Sequence, residues 1–546
     1  MKRASMKSMV NVGWRQVVAS LVWGVGLAFA LVIGRELSAG EGGLWPYEPW
    51  GWTVLRVAGL AALCALALLC WMARTPRAAA PEDPIKTARA ARRWFFAAWA
   101  VIAACRIPYW LTFYPAFITY DTVVQYTEVF TGAFTNWHPL LHTLSLGGAL
   151  RLGGWLGLSE AASLAGYALA QALVQAAVYA WMIAFLRRRA RTPWAPALAL
   201  AYLALHPLHG LYAITLWKDI PFGLAITALV LLLYRVVETQ GACLRKGGSF
   251  AALLAALIGV SLLRNNGVLV TFAVAAALLL WRPARQNRAA LVAGIAVGVV
   301  ALIQLPLFSL LHIPQAPVTE ALSIPIQQIG FVVKEQYPLT EEQEDDIDEV
   351  IPLDVLAEVY DPGTVDPVKF QEDFDGEYLR EYLGDYARLW LEIGLQHPAA
   401  YAEAHGLLTL RYWYPPEPPQ ARFYANPAPS AEYKHYPTEP LTGTFDWLQN
   451  LSPRELVEAH PWLAPLLGQG TLIWALLAAC ACLWARRKAR YQLALIPLLA
   501  VWLSLMVSAP LAESRYVYPL YCCLPLMLWM TAPQADGDGA RVGARM

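Results

Sequence analysis

Apolar stretches of about 20 residues recur along this chain, and about 20 residues is the helix length needed to cross a hydrocarbon core. They lie at roughly 16–34, 51–73, 94–113, 161–186, 194–212, 219–237, 249–263, 267–281, 289–311, 467–485, 491–509 and 517–531. With 58 % of residues hydrophobic and only 15 % charged, the composition departs from that of a soluble domain. The expected fold class is an all-α polytopic membrane protein of about 12 transmembrane helices.

The bases set the topology. If successive spans alternate sides from a cytoplasmic N-terminus, every dense basic cluster falls on one side, as the positive-inside rule requires. These clusters are Lys2, Arg3 and Lys7; Arg74 to Arg93; Arg187, Arg188, Arg189 and Arg191; Arg245 and Lys246; Arg282, Arg285 and Arg288; Arg486 to Arg490; and Arg541 and Arg545. The expected location is the bacterial plasma membrane, multi-pass, with both termini cytoplasmic. The first apolar segment follows a basic start and is expected to be an uncleaved span, since further spans follow it.

One apolar segment, HPLLHTLSLGGALRLGGWLG from His138, is left out of the span count. If it crossed, every later loop would change side and the Arg187 to Arg191 cluster would face outward. It is short, Gly-rich and interrupted by Arg151, so it is expected as a re-entrant or surface-lying helix. The pair 249–263 and 267–281 is expected as a tight hairpin with Arg264, Asn265 and Asn266 at its outer tip.

The chain divides into an N-terminal two-span region with its basic loop (1–93), a transmembrane core with an outer loop at 114–160 (94–311), an acidic external segment (312–466) and a C-terminal three-span region with its tail (467–546). In the external segment acids outnumber bases by more than three to one, densest in EEQEDDIDE at 341–349, which reads as a solvated face. Apolar spacing over 370–411 predicts a small helical domain. That domain has no cysteine, hence no disulfide framework. A Walker loop, a strand-linked dinucleotide glycine pattern and a nucleophile elbow are all missing from the sequence. Nucleic acid is not an expected partner.

Polar residues repeatedly occupy the outer ends of spans. Asp121, Glu128, His138 and His142 stand in the first long outer loop; His206, His209, Lys218 and Asp219 around the turn at 206–219; Arg264, Asn265 and Asn266 between two spans; Glu513, Arg515 and Tyr516 before the last. Single charges at span ends often anchor in the headgroup region. Four turns offering cations and carboxylates at similar depth suit transfer from a lipid phosphate. Cations hold the phosphate as it leaves, and a carboxylate takes the acceptor's proton.

The blocks YDTVVQY, NWHPLLHTL, YAITLWKDIPF, LLRNNG, SIPIQQIG and ESRYVYPL resemble blocks of an uncharacterised family of bacterial multi-spanning proteins. That family, and the order of a long acidic first outer loop followed by many spans, resembles the GT-C glycosyltransferases that use polyprenyl-phosphate sugars, such as protein mannosyltransferases and aminoarabinose transferases. The resemblance implies Asp121 as general base. From charge and depth, His138 or His142 would orient it or the acceptor. Lys218, Arg264 and Arg515 would hold donor phosphate, and Glu513 would pair with Arg515 or bind a sugar hydroxyl. Glu128 stands with Asp121, His138 and His142 among the catalytic candidates, and Asp219, Asn265, Asn266, Glu513 and Tyr516 are the supporting ones. Trp137, Trp217 and Tyr516 are candidates to stack on sugars, or members of an interfacial belt.

The expected partners are a polyprenyl-phosphate sugar donor, a lipid or glycan acceptor and membrane lipids. No cofactor is expected, although a divalent metal is kept as an option without a recognised ligand spacing. Two other readings stand beside the transferase. One is a secondary transporter or lipid flippase, which would concentrate ionisable residues at mid-membrane, where only Arg106 and Gln304 stand out. The other is a scaffold, whose outer polar residues would not converge in space.

Overall fold

Backbone groups in hydrocarbon have to be satisfied within their own segment, and every apolar stretch of this chain is accordingly helical. The computed structural model describes residues 12–40, 50–74, 84–190, 193–281, 283, 288–420, 436 and 438–532. Of the basic clusters, Lys2, Arg3, Lys7, Arg77, Arg191, Arg282, Arg285, Arg541 and Arg545 lie outside the described residues.

Helices α1 (Trp14–Ala39), α2 (Trp50–Arg74) and α3 (Pro84–Thr112) lead to two shorter ones, α4 (Tyr120–Thr131) and α5 (Leu140–Trp155). Then follow α6 (Glu160–Arg189), α7 (Trp194–Leu205), α8 (Pro207–Ala213), α9 (Asp219–Glu238), α10 (Gly247–Leu263), α11 (Gly267–Leu280) and α12 (Ala289–Leu302). Helices Gly470–Ala485, Ile496–Ser508 and Tyr518–Met530 close the chain. Among the described residues, seven helices are long and apolar enough to cross a membrane, and an eighth is formed if Pro461–Leu467 and Gly470–Ala485, bent by 54°, count together. Four more apolar helices are shorter: α7, α10, α11 and Tyr518–Met530.

The burial pattern is that of a lipid-embedded bundle. Leu21, Val22 and Phe29 of α1 and Leu55, Leu63 and Leu66 of α2 are exposed, while the polar side chains Arg106, Gln175 and His209 are buried. Helix α9 carries charge only at its ends, Asp219 at the start and Arg235 and Glu238 in its last turn. Its 20 residues separate those ends by about 30 Å, one hydrocarbon thickness.

The stretch read as one span over 194–212 is two helices. Pro207 has no N–H to continue α7, and the chain turns at His206 into α8. The break leaves carbonyls at the end of α7 that need donors. Arg106 supplies them, bonding Ala204 O at 2.9 Å and Leu203 O at 2.5 Å while its Nε bonds Gln175 Oε1 at 2.8 Å.

The hairpin of α10 and α11 forms as expected, and it depends on Gly267. A Cβ there would fall 1.9 Å from Val260 O, so only glycine lets the two helices meet so closely. Helix α5 buries His142, Thr143, Leu146, Gly147, Leu150 and Gly153 against its neighbours and exposes Leu144 and Trp155.

The segment after α12 packs a small helical core of its own, with Ile329, Val332, Ile347, Leu356, Leu379 and Ile393 buried. At its centre runs Ser323–Lys334, the SIPIQQIG block. Gln327 Nε2 donates to Asp361 O at 2.7 Å, and Gln328 bonds Tyr401 O and the Trp390 indole. Those glutamines knit the domain together. Val365 N–H donates to Pro510 O at 2.9 Å, which ties the domain to the loop carrying Glu513 and Arg515.

Candidate functional site

Two loop segments lie side by side in parallel. Phe117 N–H donates to Ile214 O at 3.0 Å, and Leu216 N–H donates to Phe117 O at 3.1 Å. Thr122 Oγ1 adds a bond to Leu216 O at 2.7 Å. This register sets the start of α4 against the start of α9, and so Asp121 against Lys218. Thr119 and Thr122 cap α4 reciprocally, with Asp121 in the first turn, where the helix dipole favours a carboxylate.

Lys218 Nζ reaches Asp121 Oδ2 and His138 Nδ1, both at 2.8 Å. An imidazole nitrogen that accepts from an ammonium carries no proton, so the neutral His138 holds its proton on Nε2. Burial, with the charge of Lys218 beside it, pulls the His138 pKa down to about 3. Arg515 Nη1 approaches the same Asp121 oxygen at 3.1 Å, and its Nε donates to Glu513 Oε2 at 2.8 Å. Burial opposes ionisation of Asp121, but Lys218 and Arg515 outweigh it and hold the carboxyl well below the ordinary range.

Arg264 ends α10 in extended conformation, and its Nη1 lies 2.9 Å from Oδ1 of the fully buried Asp219. The guanidinium of Arg264 sits 4.4 Å over the Tyr516 ring, and that of Arg515 lies 4.6 Å over Trp217 and 4.7 Å over Tyr516. Asn265 Nδ2 bonds Asn136 O at 3.0 Å, fastening the α10–α11 tip to the loop that bears His138. Four separated turns therefore converge at one end of the bundle. The cluster pairs Asp121, Asp219 and Glu513 with Lys218, Arg264 and Arg515, so it is charge-balanced at rest.

Other expected members stand apart. Glu128 is buried in a neighbouring network, bonded by Thr135 Oγ1 at 2.6 Å and Thr135 N at 3.2 Å, with Thr143 Oγ1 at 3.3 Å. Burial raises its pKa against those bonds. Gln125 links this set to His142, whose Nδ1 lies 2.9 Å from Gln125 Oε1. Gly132, at φ 74°, ends α4 and turns the chain so that Thr135 can reach back to Glu128. Asn266 precedes α11 without a side-chain capping bond. His206 and His209 are buried inside the bundle, the latter against Tyr179 and Tyr518.

The three candidate aromatics have different surroundings. Trp217 and Tyr516 carry guanidinium groups on their faces, whereas Trp137 is exposed and stacks at 5.6 Å on His138. Gln125, Thr143, Gln469 and Ser514 escaped the sequence reading. Ser514 bonds Gln469, and Gln469 bonds Ala512 O at 2.6 Å, holding the Glu513 turn. An isolated Gln opening an apolar stretch was the available signal. Among the described residues no group of three or more His, Cys, Asp or Glu is placed to hold a metal ion, and all eight cysteines are free.

Residues 127–543 match DUF6020, a family of unknown function. The chain belongs to that family. In this DUF6020 protein the matched region contains Glu128, His138, Lys218, Arg264 and Arg515, while Asp121 and α1 to α3 precede it. No curated protein and no solved structure matches the chain.

Proposed function

We propose that this protein is a membrane glycosyltransferase with twelve spans and a GT-C-like arrangement, moving a sugar from a polyprenyl-phosphate donor to an acceptor on the outer face. The observation that carries this reading is the position of Asp121, half-buried between Lys218 and Arg515 at a bundle end. The acceptor oxygen attacks the anomeric carbon, the bond from that carbon to the phosphate oxygen breaks, and the acceptor proton passes to Asp121. The leaving phosphate departs with the electron pair and one more negative charge. Cations at that point are worth more in the transition state than in the ground state.

Asp121 is a weak base while both cations grip it, because a general base works best with a pKa near the operating pH. The donor phosphate competes for Lys218 and Arg515, and their transfer to it returns basicity to Asp121. Binding thereby switches on the base. His138, neutral and bonded to Lys218, steadies the ammonium in either position.

The broken pair α7 and α8 favours the alternative, a transporter or flippase, since such proteins line their sites with interrupted helices. Here Arg106 occupies the freed carbonyls, leaving them closed to a passing solute. Purified protein given a polyprenyl-phosphate hexose in detergent or nanodiscs is expected to bind it and release or transfer the sugar. Failure of folded protein to bind the donor at any lipid concentration would leave the transporter as the better reading.

A further inference from the structure

The end of the bundle opposite the ionic cluster holds a cavity of about 680 Å3 between α3, α6 and α9. Five arginines line it: Arg89 and Arg92 from α3, Arg188 and Arg189 from α6, and Arg235 from α9. Arg89 and Arg92 stand three residues apart and so share a helix face. Only Arg189 is matched, its Nε lying 3.0 Å from Glu238 Oε1 and its guanidinium 3.8 Å over the Phe185 ring. Among the described residues the other four make no ion pair.

The positive-inside rule calls for basic residues at this end, but not for arginines from three helices turned into one recess. Arg89, Arg92, Arg188 and Arg235 are exposed around the recess, and an anion seated between these like charges relieves the repulsion among them. Arginine forks suit phosphate oxygens in particular. The recess is also walled by Phe95, Phe96 and Trp181, and Phe96 is exposed on the bundle flank, giving an apolar exit toward lipid. A soluble anion has no use for that exit.

From this juxtaposition we infer that the cavity binds the phosphate headgroup of an anionic phospholipid, with acyl chains leaving past Phe96. The site is separate from the ionic cluster and stands whether or not that cluster transfers a sugar. A basic recess between spans is the setting in which acidic lipid headgroups are held.

The test is native mass spectrometry of the full chain released from nanodiscs of phosphatidylglycerol or of phosphatidylcholine. Phosphatidylglycerol should be retained and phosphatidylcholine lost. The triple variant Arg92→Gln, Arg188→Gln, Arg235→Gln should lower phosphatidylglycerol retention at least tenfold. Arg245→Gln, Lys246→Gln, Arg487→Gln removes the same charge outside the recess and should leave retention within twofold of wild type. Equal loss in both variants, or no loss in the first, would overturn the assignment. A fluorescent phosphatidylglycerol displaced by millimolar glycerol 3-phosphate as readily as by unlabelled lipid would also overturn it, since the ligand would then be a soluble anion. Circular dichroism checks that each variant is folded.

Discussion

Asp121 Oδ2 is held by Lys218 Nζ at 2.8 Å, across a gap of 97 residues in sequence, and the same ammonium touches His138. Because one cation satisfies both groups, removing it affects the carboxylate and the imidazole together. Lys218→Met leaves Arg515 as the remaining cation on Asp121 and should cost about 1–3 kcal/mol of stability, the range for leaving a buried charged group short of a partner. A thermal midpoint unchanged from wild type in detergent would contradict the pairing.

The protonation states make a pH prediction. His138 has a folded pKa of about 3, below its unfolded value, and the Asp121 carboxyl is likewise depressed. Both therefore contribute stability that is complete above their unfolded pKa values and is lost as pH falls. For His138 the loss begins below about pH 6.5 and continues toward pH 3; for Asp121 it begins below about pH 4. Glu128, raised by burial, acts in the opposite sense. Thermal stability should fall between pH 6.5 and pH 4.5 in wild type and fall less in His138→Gln. Equal slopes for the two proteins would remove His138 as the source.

Arg106 is a structural ion. Arg106→Leu strands the carbonyls of Ala204 and Leu203 at the α7–α8 break and should destabilise by about 2–5 kcal/mol, the sum of unsatisfied buried acceptors. Expression and thermal midpoint should both drop. A transporter that moves charge through Arg106 would instead keep its stability and lose its transport.

Glu128 and Asp121 should part company on substitution. Glu128→Gln preserves acceptance from Thr135 at one oxygen and should leave turnover within about threefold of wild type, under about 1 kcal/mol of barrier. A loss as deep as that of Asp121→Asn would move the proton-accepting role to Glu128.

Much of this arrangement was legible in the residues. Apolar periodicity located the helices, and the RNN tip between two apolar stretches located the α10–α11 turn. What single residues could not reveal was pairing. Trp217 and Tyr516 read as sugar-stacking or interfacial-belt candidates, and each in addition lies under an arginine from a distant turn, which no single residue announces. His206 and His209 read as outer-end residues because the apolar run over 194–212 continues past Pro207 and suggests one span, and once the chain bends there they fall inside the bundle. Glu128 and His142 shared a loop with Asp121, but the capped start of α4 points Asp121 to α9 while Gln125 and Thr143 draw the other two aside.

Donor affinity and turnover measured together on wild type and Asp121→Asn, with a polyprenyl-phosphate hexose, test the central claim most directly. Asparagine removes the carboxylate that competes with phosphate for Lys218 and Arg515, so the donor should bind at least as tightly. Turnover should fall by about 100-fold or more, the range for losing a general base. Turnover retained in Asp121→Asn, or donor binding lost with the protein still folded, would contradict the account.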